Sequence, residues 1–332
     1  KSLAIRKKNY IYLLKLYEYK FKNIKLDLVI NPELNVSHGI IVSSFQNSKK
    51  ITNICLNFSK NIFQNINSMR RTKTCLDYWI PLIIEASCNK DKKFSIFIDS
   101  SDEGHSDYLN MDSEYKDKLI PDLYSIITST QIDRNFIPLD FKKFHQLWLI
   151  KKNIMHWRGS TTGNCYSNFQ ELKSLKRIQI CNRYKNIYGF DLKITRIVQN
   201  GINKSYVQDW LISNNIFSEE IGEEEFQLYK YYPDIPGNAL AWGTIRKYLF
   251  GNLVFKPYTK RKLFYYRFMQ PWKDYIPVDE EFLDLNDKYK WAENNQEEAA
   301  HIAWNGYVKS HEYIKKIPEY FISVISKNKY EE

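Results

Sequence analysis

One stretch near the middle of the chain joins a short apolar run, a loop of small residues and a helical pattern. Asn153 to Trp157 predicts a strand, and Arg-Gly-Ser-Thr-Thr-Gly at 158–163 predicts a loop. Apolar residues then recur every three positions up to Tyr184, and Asn168 with Glu171 forms a capping-box pattern, so one helix is predicted from Asn168. A strand, loop and helix in this order place a ligand at the carboxyl end of a parallel sheet. This unit restricts the chain to an α/β fold.

The rest of the chain continues the alternation of apolar runs and amphipathic stretches that is typical of α/β proteins. Further strands are predicted at 26–30, 38–42, 51–56, 94–98 and 253–255, and a helix is predicted at 294–308 with its end at Asn305-Gly306. At 39.8 kDa the chain exceeds one ordinary core. We therefore expect a first lobe at 1–150, a second at 151–297, and a C-terminal helix at 298–332 that packs back on the first lobe.

The charge balance favours an anionic partner, because the formal net charge is +11. A nucleic acid, an anionic membrane surface and a phosphorylated small molecule all fit this charge. The basic residues are scattered rather than gathered in a stripe with aromatics, so nucleic-acid binding is the weaker alternative. The five cysteines form no C-x-x-C pair, which indicates reduced thiols and no zinc site.

Two features of the sequence bear on where in the cell the protein is found. No apolar run approaches the roughly 18–20 residues of a membrane helix, and residues 1–25 contain no apolar leader. We expect a cytoplasmic protein, in a bacterium or in the host cytoplasm if viral, with peripheral membrane contact through its basic surface as a further expectation.

The loop at 158–163 has the composition of an anion site. Its glycines let backbone N–H groups approach a ligand, Ser160, Thr161 and Thr162 add hydroxyl donors, and Arg158 adds a cation. The loop is neither a Walker loop nor a G-x-G-x-x-G fingerprint, and a plain turn with Ser and Thr caps remains the alternative. Arg177 is equally open between a phosphate contact and an exposed helix residue.

Asp102 lies just past the strand predicted at 94–98, in a loop that also holds Asp99, Glu103 and His105. A carboxylate at a strand end can act as a general base, although aspartates also form turns there. The chain has no D-x-D element of the kind that many sugar transferases use to hold a metal.

Several motifs in one order resemble glycosyltransferase family 90. Trp-Arg-Gly-Ser-Thr-Thr-Gly at 157–163 is similar to the hallmark of that family, which includes protein O-glucosyltransferases, fungal capsule-associated xylosyltransferases and bacterial lipopolysaccharide-modifying proteins. Further matches lie at 233–238 with Trp242, at 251–256, at 271–278 and at 291–306. The resemblance covers about residues 94–310, and Phe94 to Asp102 aligns with the strand that carries the catalytic aspartate of the family.

The resemblance implies a GT-B architecture with two Rossmann-like lobes and a cleft between them. It implies an inverting, metal-independent transfer of glucose or xylose from a UDP-sugar to a hydroxyl of a glycan or glycoconjugate, with no cofactor beyond the UDP-sugar. Asp102 would be the catalytic base. The donor would be bound by residues of the second lobe, namely Arg158, Gly159, Ser160, Thr161, Thr162, Arg177, Gly237, Asn238, Trp242, Arg246 and Lys256.

Three departures from the family pattern bear on this assignment. Ala241 and Asn252 stand where the family has Ser, and Gly243 replaces a donor-binding arginine of the animal enzymes, whose contact Arg246 is expected to supply. The animal enzymes' disulfide cysteines and retention signal are absent, which leads us to expect a bacterial or viral type. A non-catalytic glycan- or nucleotide-binding relative and, less favoured, a basic nucleic-acid-binding protein remain alternatives.

Overall fold

The computed structural model shows an α/β protein and describes residues 24–31, 34, 39–46, 52–59, 62, 66–88, 94–101, 107–114, 116–133, 135–328 and 330–331. Two compact units make up the chain. The first consists of Lys1–Gln131, Arg261–Phe264 and Lys316–Glu332, and the second of Ile132–Lys260 and Tyr265–Lys315. None of the described helices combines the length and apolar character that crossing a membrane requires.

The first unit contains a five-stranded sheet in the order β1-β3-β2-β4-β10. Its strands are β1 Ile24–Asn31, β2 Gly39–Gln46, β3 Thr52–Ser59, β4 Phe94–Asp99 and β10 Tyr330–Glu331. Its helices are α1 Ile66–Cys88, α2 Leu123–Gln131 and α10 Ile317–Lys327. Helix α10 packs against α1 and α2, with Phe321 fully buried.

This first sheet is mixed, which differs from the Rossmann-like lobe that the sequence predicts. β1 and β3 are parallel, whereas β2 is antiparallel to both β3 and β4. The physical reason is the length of the connections. Only a few residues separate β2 from β3, and a parallel crossover needs about a dozen or more.

The second unit contains a five-stranded sheet in which every described pairing is parallel. Its strands are β5 Lys152–Ser160, β6 Phe190–Arg196, β7 Tyr229–Pro233, β8 Leu253–Pro257 and β9 Ile276–Val278. Its helices are α3 Phe141–Ile150, α4 Phe169–Ser174, α5 Lys176–Tyr184, α6 Lys204–Ser213, α7 Thr244–Leu249, α8 Leu285–Asn294 and α9 Gln296–Lys315. β8 is completely buried, as expected for a strand in a sheet covered on both faces.

The strand order of the second sheet fixes where a ligand can bind. The order β6-β5-β7-β8-β9 reverses direction between β5 and β7. In an open α/β sheet the crevice at such a reversal, outside the carboxyl ends of the strands, is the usual ligand site. The segments that follow Ser160 and Pro233 lie at this point.

Two details of the strand–loop–helix unit differ from the prediction. β5 continues through Ser160, because Arg158, Gly159 and Ser160 still pair with β6, so the loop begins at Thr161. The single helix predicted from Asn168 is two helices, since Leu175 has extended backbone angles between α4 and α5. The predicted cap is confirmed, because the Glu171 backbone N–H donates to Asn168 Oδ1 at 2.9 Å.

The predicted end of a helix at Asn305-Gly306 is wrong, because α9 runs through both residues to Lys315. Gly306 is required for close packing instead. A Cβ at this position would lie 2.7 Å from the carbonyl oxygen of Asp274 and 2.7 Å from Tyr248 Cδ1.

The division of the chain differs from the boundary expected near residue 150. Helix α3 belongs to the second unit, where Trp148 meets Tyr231 edge to face and Phe144 packs on Tyr307. The segment expected to pack back on the first lobe also divides. α9 lies in the second unit, and only α10 and the following residues belong to the first.

Candidate functional site

The segments that follow β5 and β7 are joined by Arg177, the second residue of α5. The guanidinium donates from Nη1 to the Ser160 carbonyl oxygen at 3.1 Å and to the hydroxyl of Thr162. Its Nε donates to the Pro236 carbonyl oxygen at 3.0 Å, and Nη2 donates to that of Ile235 at 3.2 Å. One side chain thus joins the segments that follow the two central strands. We call Ser160, Thr162, Arg177, Ile235 and Pro236 the Arg177 cluster.

The charge of Arg177 has no opposite charge beside it. Its partners are hydroxyl and carbonyl oxygens, and within the described part of the chain no carboxylate lies at ion-pairing distance. Burial lowers the pKa of the guanidinium to about 10, against the attraction of Tyr232, Cys181 and Asp234. Arg177 is half-buried and its hydrogen bonds go to neutral oxygens, so an anionic ligand would balance its charge.

Gly237 allows the two segments to approach each other. A Cβ here would lie 2.7 Å from Thr162 Oγ1 and 3.1 Å from Arg177 Nη2. Any side chain would therefore displace the groups that form the Arg177 cluster.

The backbone N–H of Gly163 is held by two amide side chains from neighbouring loops. It donates to Asn238 Oδ1 at 3.0 Å and to Gln199 Oε1 at 3.2 Å. Gln199 has a φ of 55°, in the left-handed region that is unfavourable for residues other than glycine. The loops after β5, β6 and β7 are therefore tied together at one donor.

Thr161 has a structural position rather than an open one. It is fully buried, its hydroxyl donates to the Val198 carbonyl oxygen at 2.8 Å, and the Val198 N–H donates back to the hydroxyl at 2.9 Å. This exchange fixes the loop after β5 against the loop after β6.

Arg158 makes its hydrogen bonds outside the Arg177 cluster. Its guanidinium donates to the Asp191 carboxylate at 2.6 Å and to the carbonyl oxygens of Trp157 and Asp191. Burial opposes ionisation of Asp191, but hydrogen bonds from His156 and Arg158 hold its pKa well below the usual range. Gly159, next along β5, is needed because a Cβ would lie 2.4 Å from the Trp157 indole.

A second polar group lies at the carboxyl ends of β7 and β8. The buried Asp234 accepts hydrogen bonds from Thr244 Oγ1 at 2.6 Å and from Tyr266 OH at 2.8 Å. Burial raises the pKa of Asp234, against the attraction of Lys256. Lys256 is buried, donates to the Pro257 carbonyl oxygen at 3.0 Å, and lies 4.3 Å from the ring centroid of Tyr266.

The two remaining donor-site candidates lie on the segment after β7. Trp242 is half-buried in the loop that leads into α7. Arg246 forms an ion pair with Glu223, which also accepts from Lys247 at 2.8 Å. The position of Gly243 is open, because a Cβ there would meet no atom within 4 Å.

The predicted base, Asp102, lies outside the described residues, as do Glu103 and His105. Asp99, the competing carboxylate, ends β4 and accepts a hydrogen bond from the Ser101 N–H at 2.8 Å. Helix α1 supports the same segment, because Arg71 Nε donates to the Ser100 carbonyl oxygen at 2.6 Å.

The structure therefore brings together Ser160, Thr162, Arg177, Gly237 and Asn238, and directs Arg158 and Arg246 to carboxylates elsewhere. Two polar residues of this region, Asp234 and Gln199, are not among the site residues that the sequence predicts. Asp234 could have been found, because it lies inside the motif at 233–238. Nothing in the sequence marks Gln199.

Comparison with known proteins shows which family this sequence matches. The family model described as "Glycosyl transferase family 90" matches residues 112–330. Protein O-glucosyltransferase 3 of Homo sapiens is 30% identical over 109 residues, which is 32% of this chain and 22% of the relative. Protein O-glucosyltransferase 2 of Danio rerio is 33% identical over 82 residues, or 25% of this chain and 16% of the relative. The alignments thus span only about a fifth of the length of these relatives.

The relatives also bear on the expected type of the protein. They are animal protein O-glucosyltransferases, with Rattus norvegicus a further source, so the expectation of a bacterial or viral type is not supported. The family and these relatives together indicate a glycosyltransferase.

Proposed function

Because the chain belongs to glycosyl transferase family 90, we propose that it transfers glucose or xylose from a UDP-sugar to a hydroxyl of a protein or glycan acceptor. The observation that carries this proposal is Arg177, a cation that lies where the strand order of the second sheet reverses and that pairs with no carboxylate of the described residues. The similarity to protein O-glucosyltransferases supports glucose as one donor sugar.

The Arg177 cluster would bind the diphosphate of the donor. Negative charge grows on the leaving UDP as the bond to the sugar breaks, and a positioned guanidinium stabilises that charge more than it stabilises the ground state. The hydroxyls of Ser160 and Thr162, which lie 3.2 Å apart, would donate to the same oxygens. Gly237 would keep Thr162 and Arg177 in place for this contact, because both lie against its backbone.

The acceptor hydroxyl requires a base as it attacks C1 of the sugar. We assign this role to Asp102, following the resemblance of Phe94–Asp102 to the catalytic strand of the family. A direct attack of this kind inverts the configuration at C1. We propose that no metal ion takes part, in keeping with the missing D-x-D element, and that the two units are the two lobes of a GT-B enzyme.

Titration of the chain with UDP in excess EDTA tests the donor site. We expect UDP to bind, and we expect Arg177→Ala to raise the Kd at least about ten-fold, since a charged hydrogen bond contributes about 1.5–3 kcal/mol. Arg183→Ala is the matched control. Arg183 is exposed on the same helix and donates to the Glu281 carbonyl oxygen, so its removal should leave UDP affinity unchanged.

Arg158→Ala separates the two arginines. Because Arg158 is bound to Asp191, Arg158→Ala should lower the melting temperature. It should leave UDP affinity nearly unchanged. Unchanged UDP binding by Arg177→Ala, or binding that EDTA abolishes, would contradict the proposed donor site.

A further inference from the structure

The loop at 270–275, which leads into β9, holds an exposed tryptophan in a strained conformation. Trp272 has a φ of 61°, in the left-handed region that only glycine adopts without cost. Its exposed fraction is 43%. A glycine would be the expected residue at this position if the backbone turn were its only role.

The surroundings of the loop maintain this conformation. The Trp272 N–H donates to the Tyr275 carbonyl oxygen at 2.8 Å, and the Gln270 N–H donates to Asp274 Oδ2 at 2.7 Å. Lys309 of α9 donates to the same carboxylate oxygen at 2.6 Å. None of these bonds uses the indole, so the fold does not need a tryptophan side chain to form the turn. Strain that is held in place in this way is a pointer to function.

Two residues of α8 complete a corner around the indole. The ring centroid of Trp291 lies 4.9 Å from that of Trp272, and the two rings are inclined at 78°. Lys288 Nζ lies 4.7 Å from the Trp272 ring centroid. We call Trp272, Trp291 and Lys288 the indole corner. The indole corner lies at the amino end of β9. In this parallel sheet the Arg177 cluster lies at the opposite end of the strands, the carboxyl end.

We propose that the indole corner is a second carbohydrate site, which binds a pyranose with equatorial hydroxyls, namely a glucose or xylose residue of an oligosaccharide. Such a ring presents a flat face of axial C–H groups, whose slight positive charge matches the negative face of an indole. The Lys288 ammonium can donate hydrogen bonds to the hydroxyls at the rim of the sugar. Because this site lies at the opposite end of the strands, it does not depend on donor binding at the Arg177 cluster.

Titration with maltohexaose and with xylohexaose, followed by saturation-transfer NMR, tests the proposal. We expect the native chain to bind at least one of them and Trp272→Gly to weaken that binding by about ten-fold or more. Trp272→Phe, which keeps an aromatic face, should retain most of the affinity. Tyr188→Ala is the control, because Tyr188 is 95% exposed and lies in the turn before β6.

Melting temperature and UDP affinity are measured on the same variants. Because glycine relieves the strained φ but loses the contacts of the indole with Trp291 and Lys288, Trp272→Gly should change the melting temperature little, and UDP affinity should not change. The proposal is overturned if the native chain binds neither oligosaccharide, or if Trp272→Gly binds them as well as the native chain. It is also overturned if Trp272→Gly loses stability that Trp272→Phe restores while sugar binding stays the same, because Trp272 would then serve packing alone.

Discussion

Arg158 and Arg177 bind different partners because the first lies in a strand and the second in a helix. Arg158 lies inside β5, so its direction is set by the pleat of the sheet, and it meets Asp191 on the adjacent strand β6. Arg177 comes from the helix that follows and reaches the end of the strand from outside. The motif at 157–163 therefore predicts the place of the Arg177 cluster but not the residue at its centre.

Asp102→Asn tests the proposed base at the same scale. The change removes the proton acceptor but keeps the size of the side chain, so sugar transfer should fall by about 10²–10⁴-fold while UDP affinity is retained. Initial rates with a UDP-sugar and an acceptor glycan, together with UDP titration, measure both quantities.

Asp99→Asn is the companion variant. Asp99 is buried and accepts a hydrogen bond from the Ser101 N–H, so Asp99→Asn should lower the melting temperature. Its rate of sugar transfer should fall far less than that of Asp102→Asn. Full transfer by Asp102→Asn, or an equal loss of rate in both variants, would remove Asp102 from the mechanism.

At the scale of elements, α9 contains Gly306, although glycine has a low helix propensity. The close packing of the helix requires it. Alanine at 306 should gain about 1 kcal/mol as a better helix former. Its Cβ would, however, meet a backbone oxygen of the 270–275 loop and the buried ring of Tyr248 at 2.7 Å. Overpacking of this kind costs about 1–3 kcal/mol, and a backbone atom moves less readily than a side chain.

We therefore expect Gly306→Ala to lower the melting temperature despite its propensity. Gly243→Ala is the matched control, since a Cβ there meets nothing within 4 Å, and its melting temperature should change little. Thermal unfolding followed by circular dichroism compares the two. A more stable Gly306→Ala would show that propensity, not close packing, governs this position.

At the scale of the whole molecule, stability should fall as the pH drops below neutrality. His311 is buried between Phe136 and Tyr307, and burial together with the nearby Lys315 lowers its pKa to about 4. An unfolded histidine takes up its proton near pH 6.5. Between these two values the unfolded state binds more protons, so the stabilisation present above pH 6.5 is lost as the pH falls towards 4.

His311→Phe should make the melting temperature less dependent on pH between about 7 and 4, because it removes one of the groups that titrate differently in the two states. Melting curves of both proteins across this range measure the difference in slope. Parallel curves would show that His311 does not contribute to acid sensitivity.

The sequence predicts the parallel pairing of the second sheet but only its strands β5 and β8, whereas it predicts β1 to β4 of the first sheet but not their mixed pairing. In the second unit β5, β6, β7 and β9 are each followed by an α-helix, an alternation that favours parallel pairing. In the first unit β1 pairs with β3 while β2 lies beyond it, a pairing that local patterns do not specify. The same holds for Gln199, whose contact with Gly163 depends on how two loops meet.

The pairing of β5 with β7 also has a consequence for how the chain folds. About seventy residues separate the end of one strand from the start of the other, and contacts that are distant along the chain form slowly because a long loop must close first. The Arg177 cluster comes into existence only when this closure is complete. Recovery of UDP binding during refolding should therefore be among the last events, later than the return of helical signal, which stopped-flow circular dichroism and a UDP-binding assay can time side by side.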